Sequence, residues 1–99
     1  MLIPKSFRIR GVKHTVHIAR TLKPKAYGRT NPAVGTIELA THYGYVQRGP
    51  IAMAETFWHE VVHCILFDMG DPRWKDETFV VSFSRRLADV VQTAELGGA

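Results

Sequence analysis

Residues 50–70 read PIAMAETFWHEVVHCILFDMG, and the fold turns on how this stretch is read. Apolar side chains recur through it at helical spacing. Pro50 suits a first helical position, where its missing N–H costs nothing. Gly70 is a good stop for a helix end. The spacing therefore predicts one long helix from Pro50 to about Met69. Phe57, Trp58, Val61, Val62, Ile65, Leu66 and Phe67 make that helix a largely buried one.

At its centre stands His59-Glu60-Val61-Val62-His63, the HExxH pattern. Two histidines four apart lie on one helical face, one turn above the other. Their ring nitrogens can close on a single zinc ion at roughly 2.0–2.1 Å. Glu60 points about 100° further round the helix, so it need not ligate. It can instead take a proton from a water that zinc activates. Buried His and Glu need partners, and a metal supplies them. The pattern implies metal-assisted hydrolysis, with a peptide bond as the expected substrate.

Working outward, Phe7 to Arg10 alternates apolar and basic residues. His14, Val16 and Ile18 fall on one side of the next run, with Thr15 and His17 on the other. Gly11 lies between, so the two runs read as a hairpin. Residues 21–33 hold two prolines, a glycine and an asparagine and read as a loop. Thr36 to Ala40 alternates again, with Ile37 and Leu39 inward, and reads as a third strand. Residues 44–49 read as a second loop. After Asp71-Pro72 a last helix is expected from about Lys75 to Thr93, carrying Val80, Phe83, Leu87, Val90 and Val91 at helical spacing. Residues 96–99 read as a frayed tail. Three strands followed by two helices make an α+β domain spanning 1–99.

Bulk properties agree with one compact domain: 99 residues, 45% hydrophobic and 22% charged. A single cysteine, Cys64, excludes an intrachain disulfide and fits a reducing compartment. The first ten residues hold no apolar run long enough for a signal peptide, and no stretch reaches the length of a membrane span. A cytoplasmic location is the expectation. Residues 1–37 hold eight basic groups and no acidic one, a charge of +8, whereas residues 38–99 hold five basic and nine acidic, −4. Such asymmetry fits a solubilising face with Lys guarding strand edges. The other reading is a surface for nucleic acid or an acidic protein, which no aromatic interleaving accompanies.

Catalytic zinc usually takes three protein ligands and keeps one open position. No histidine follows His63, and Met69 stands where an extended HExxHxxGxxH pattern would end. The candidates left are the carboxylates Asp76 and Glu77. Helix geometry favours Asp76, reach favours Glu77, and either acid also suits a helix N-terminus. The residues alone leave the choice open.

The HExxH helix followed by an acidic residue on a second helix resembles the gluzincin class of zinc metallopeptidases. The chain is most similar to the very small phage and prophage forms related to ImmA/IrrE-like peptidases. The resemblance extends over the hairpin, Tyr27-Gly28, Thr36-Ile37-Glu38-Leu39, the HExxH helix and Glu77-x-Phe79-Val80. It implies a minimal zincin-like fold, with Zn2+ held by His59, His63 and Glu77 and Glu60 as general base. It also implies an extended peptide bound at the edge of the strand Thr36–Leu39. Larger relatives place a polar residue four after the ligand Glu; Val81 stands there, so support for a His must come from backbone carbonyls or Ser84.

Other residues receive blander readings. Cys64 is a buried structural thiol, His14 and His17 are ordinary sheet residues, and Arg85-Arg86 form a solvated face. Tyr27, His42, Tyr43 and Tyr45 are eligible as oxyanion donors by chemistry. Two rivals stand beside the peptidase: a zinc-binding relative without turnover, and a basic interaction module in which HExxH is incidental.

Overall fold

A computed structural model describes residues 3–95. Ser6–Ile9 (β1) and Val12–Ala19 (β2) form the expected hairpin, with Ile9 opposite Val12. Its two turn residues both have positive φ, 49° at Arg10 and 85° at Gly11, as a two-residue turn between twisted strands demands. Gly28–Asn31 (β3) and Thr36–Ala40 (β4) form a second hairpin, and β4 lies parallel to β2. The sheet is therefore mixed, four-stranded and ordered β1-β2-β4-β3.

The fourth strand corrects the reading of 21–33 as a loop. Gly28-Arg29-Thr30-Asn31 has no apolar alternation because its inward positions are small. Thr30 Oγ1 lies 3.2 Å from Cys64 Sγ, and a Cβ on Gly28 would come 2.7 Å from Thr56 Cγ2. The strand meets the long helix too closely for large side chains. A further short hairpin, His42–Tyr43 (β5) with Val46–Gln47 (β6), overlaps the segment 44–49 that also reads as a loop.

The long helix α1 runs Pro50–Asp68. A 3-10 turn at Pro72–Lys75 precedes the last helix, Glu77–Thr93 (α2). α2 thus starts two residues later than the spacing suggests. Asp76 is extended, and its carboxylate accepts a hydrogen bond from the Phe79 N–H at 3.1 Å. That is the work of an N-cap.

Val16, Ile37 and Leu39 of the sheet pack on Phe57, Val61 and Cys64 of α1. On its other side α1 packs Val62 and Leu66 against Val80 of α2. His14 is buried, stacks on Phe7 at 5.1 Å and is hydrogen-bonded through Nδ1 to the Val12 carbonyl, 3.1 Å away. Ile18 shares a strand side with the buried His14 and Val16 but is itself 52% exposed and not among the side chains packed on α1. The architecture is α+β, a mixed sheet with two helices. No described helix is long and apolar enough to cross a membrane. The tail at 96–99 lies outside the described residues.

Candidate metal centre

α1 presents His59 and His63 on one face, with Nε2 atoms 3.2 Å apart. The cap at Asp76 turns the chain so that Glu77, the first residue of α2, reaches both rings. Its Oε2 lies 3.1 Å from His59 Nε2 and its Oε1 2.8 Å from His63 Nε2. Taking one ligand atom from each residue, all lie within 4.8 Å of one another. Asp76 is turned away by its capping bond, so of the two carboxylates left open by the sequence, Glu77 is the one brought to the histidines.

The protonation of this cluster is constrained by one hydrogen bond. His63 Nδ1 faces the Trp74 carbonyl oxygen at 2.5 Å. A carbonyl only accepts, so Nδ1 carries the hydrogen and neutral His63 presents a lone pair at Nε2. That lone pair faces the Glu77 carboxylate and the second imidazole. A hydrogen on His59 Nε2 can donate to the Glu77 carboxylate; with that nitrogen instead presenting its lone pair, a cation between the three atoms would satisfy them. Burial, the largest cause, holds His59 below its ordinary pKa although the Glu77 carboxylate pulls it upward. A neutral imidazole is the ligating form. The 3.2 Å between ring nitrogens is close to the edge of about 3.3 Å expected for a tetrahedral zinc with ligands at 2.0–2.1 Å. Donor types, tautomer and spacing therefore fit zinc.

Glu60 is buried beneath this cluster, 5% exposed. Burial, with the nearby Glu77 carboxylate adding to it, pushes its pKa up to about 8. A positive ion among the three donors would oppose both causes. The support that position 81 cannot give to a His comes from the Trp74 carbonyl. Ser84 does not supply it, since its hydroxyl donates to the Val81 carbonyl at 3.4 Å.

The centre opens on a groove of about 540 Å³. α1 forms its floor, β3 and Tyr43 one side, and α2 the other. A second hollow on the same centre extends past Thr30 toward Trp74 and Lys75. β3 is the terminal strand beside the centre, whereas β4 is paired on both sides. The free strand edge is thus that of β3, which corrects the expectation placed on Thr36–Leu39. Tyr27 O accepts from Ala40 N at 2.9 Å. By antiparallel alternation the N–H and C=O groups of Gly28 and Thr30 then point outward along that edge.

Of the four candidate oxyanion donors, Tyr27 and Tyr43 line the groove, their rings tilted against each other with centroids 4.3 Å apart. Tyr45 is fully exposed, and His42 Nδ1 is engaged by the Thr41 hydroxyl at 2.8 Å; neither lines it. Cys64 is buried, with its thiol pKa pushed up by burial. No local pattern in the sequence marks Arg48. Its guanidinium donates to the carbonyls of Tyr27, Ala40 and Ala52 and to the Thr56 hydroxyl. It ties β3, β4 and α1 together at the groove. Compared with family models, with curated proteins and with solved structures, the chain gives no match.

Proposed function

We propose that this chain is a small zinc-dependent metallopeptidase of the gluzincin type, with a minimal zincin-like fold. His59, His63 and Glu77 hold the ion. The observation that carries the reading is the convergence of one potential ligand atom from each of these residues, with the His63 tautomer set by the Trp74 carbonyl. Bound zinc would supply Lewis acidity and bring the pKa of a water to about 7. Glu60 takes the proton from the attacking water and returns it to the leaving amine. The groove accepts an extended peptide, which pairs with the outward backbone groups of Gly28 and Thr30 as an added strand. The Trp74 carbonyl keeps the His63 ring from turning, and its hydrogen bond raises the basicity of the ligating nitrogen.

The test compares metal content and peptide cleavage in wild type, His63→Ala and Glu60→Gln. Wild type should carry about one zinc per chain, in line with one cluster of three donors. His63→Ala should lose it. Glu60→Gln keeps the shape and the zinc but cannot accept a proton, so cleavage should fall by roughly 10²–10⁴-fold. Wild type that neither holds nor takes up zinc removes the metal centre and leaves the basic interaction module. Zinc without cleavage of any peptide in a broad library leaves a binding protein. Equal, chelator-sensitive cleavage by wild type and Glu60→Gln removes the general-base role.

A further inference from the structure

We infer that Arg85 makes the α2 side of the groove a subsite for a carboxylate of the peptide, so that acidic ligands are selected; the inference rests on the peptide-binding reading above. Two guanidinium groups line the groove, Arg48 and Arg85. Arg48 is consumed: its donors are spent on three carbonyls and a hydroxyl, and the group lies over the Tyr27 ring at 4.7 Å. Lys25 and Lys75, at the margins, sit over Tyr43 at 4.4 Å and over Trp74 at 5.2 Å.

Arg85 differs. It lies on α2 two turns beyond Glu77, on the face that looks across the groove to α1. Its neighbour Arg86 is folded back onto its own helix, donating to the Ser82 carbonyl and hydroxyl at 2.9 and 2.8 Å. Arg85 makes no hydrogen bond or ion pair among the described residues, although Asp89 follows one turn on. The reading of Arg85-Arg86 as one solvated face therefore splits: Arg86 keeps to the surface, and Arg85 presents a free fork of donors to the groove. A guanidinium fork matches a carboxylate with two parallel hydrogen bonds. Three acids line the same groove: Glu77 is engaged by the histidines, Glu60 is buried, and Glu55 makes no ion pair among the described residues. Of these, Glu55 is the one left on the open side. It opposes an anionic ligand and limits the preference. Its removal by Glu55→Gln should therefore strengthen the selection of acids.

The ligand chemistry is a carboxylate, from an acidic side chain or a free chain terminus. Binding is measured on zinc-loaded Glu60→Gln by fluorescence anisotropy with three labelled decapeptides of otherwise equal sequence. One is neutral with an amidated C-terminus, one is the same with a free C-terminal carboxylate, and one is amidated with a single Glu. At least one carboxylate peptide should bind about fivefold to tenfold tighter than the neutral one at low salt, as a partly exposed charge-assisted pair allows. Which of the two gains identifies the source. Adding Arg85→Ala should erase the gain and leave the neutral peptide unchanged; Arg85→Lys should keep part of it. A gain that survives Arg85→Ala, equal binding of all three peptides, or binding of none overturns the inference. Cleavage by wild type is scored separately. Turnover without acid selection sinks this subsite alone, and acid selection without turnover sinks the peptidase reading alone.

Discussion

Glu77→Ala and Asp76→Ala, adjacent in sequence, should fail in opposite ways. The Glu77 carboxylate spans both histidines, 3.1 and 2.8 Å from their Nε2 atoms. The Asp76 carboxylate faces the other way and accepts from the Phe79 N–H at 3.1 Å. Apparent zinc binding by four-ligand sites is worth about 10–16 kcal/mol, hence roughly 2.5–4 kcal/mol for each ligand if shared evenly. Loss of Glu77 should then weaken zinc by roughly 10²–10³-fold. The Glu77 side chain is 65% exposed, so the metal-free fold should barely notice. Loss of the Asp76 cap should instead cost about 1 kcal/mol of stability, which for a domain of this size lowers Tm by roughly 4–8 °C. Zinc affinity is read by competition with a chromophoric chelator, and stability by melting with and without chelator. Glu77→Ala should keep the metal-free Tm and lose the zinc-induced rise; Asp76→Ala should show the reverse. If Asp76→Ala, still folded, loses as much zinc affinity as Glu77→Ala, the assignment of the third ligand is wrong.

Two further outcomes test the scaffold. Gly28→Ala puts a Cβ 2.7 Å from Thr56 Cγ2 and 3.1 Å from the Glu38 carbonyl oxygen; because Arg48 already holds the Thr56 hydroxyl, strain of about 1–3 kcal/mol is expected. An unchanged Tm would mean that β3 does not approach α1 so closely. Cys64 is 1% exposed and its thiol is held above the ordinary pKa by burial, so a thiol reagent at pH 8 should label the native protein roughly a hundredfold or more slower than the urea-unfolded one. Equal rates would place the thiol at the surface.

The parts of the fold legible in the sequence are those with an apolar period. α1 announces itself through Phe57, Val61, Val62 and Leu66, and β4 through Ile37 and Leu39, both fully buried. β3 was illegible because its contact with α1 uses Gly28 and Thr30, and closeness there demands small residues with no hydrophobic signature. The His59–His63 pair was legible because helical spacing alone brings the rings together. Glu77 was not separable from Asp76 by spacing. What separates them is the backbone at Asp76, φ −90° and ψ 94°, which ends one turn and begins another. The Trp74 carbonyl had no sequence signal at all, since any residue supplies a carbonyl and only the chain path aims it.

The described residues wall the groove with few elements. The wall opposite α2 is a strand edge and a two-stranded hairpin, elements too short to hold position by their own hydrogen bonds. Arg48 holds them. One half-buried guanidinium binds carbonyls at the start of β3, the end of β4 and the first turn of α1, and its place directly after β6 carries the hairpin with it. Burial lowers its pKa, though guanidinium stays charged at any working pH. The cost of burying that charge is offset by its several hydrogen bonds to carbonyls, among them Tyr27 O and Ala52 O, which also accept from Ala40 N–H and the Thr56 hydroxyl. The geometry of the groove therefore depends on a residue that touches neither the metal ligands nor Glu60. Arg85, the other guanidinium lining the groove, has no such hold on the scaffold among the described residues and is left for the proposed carboxylate.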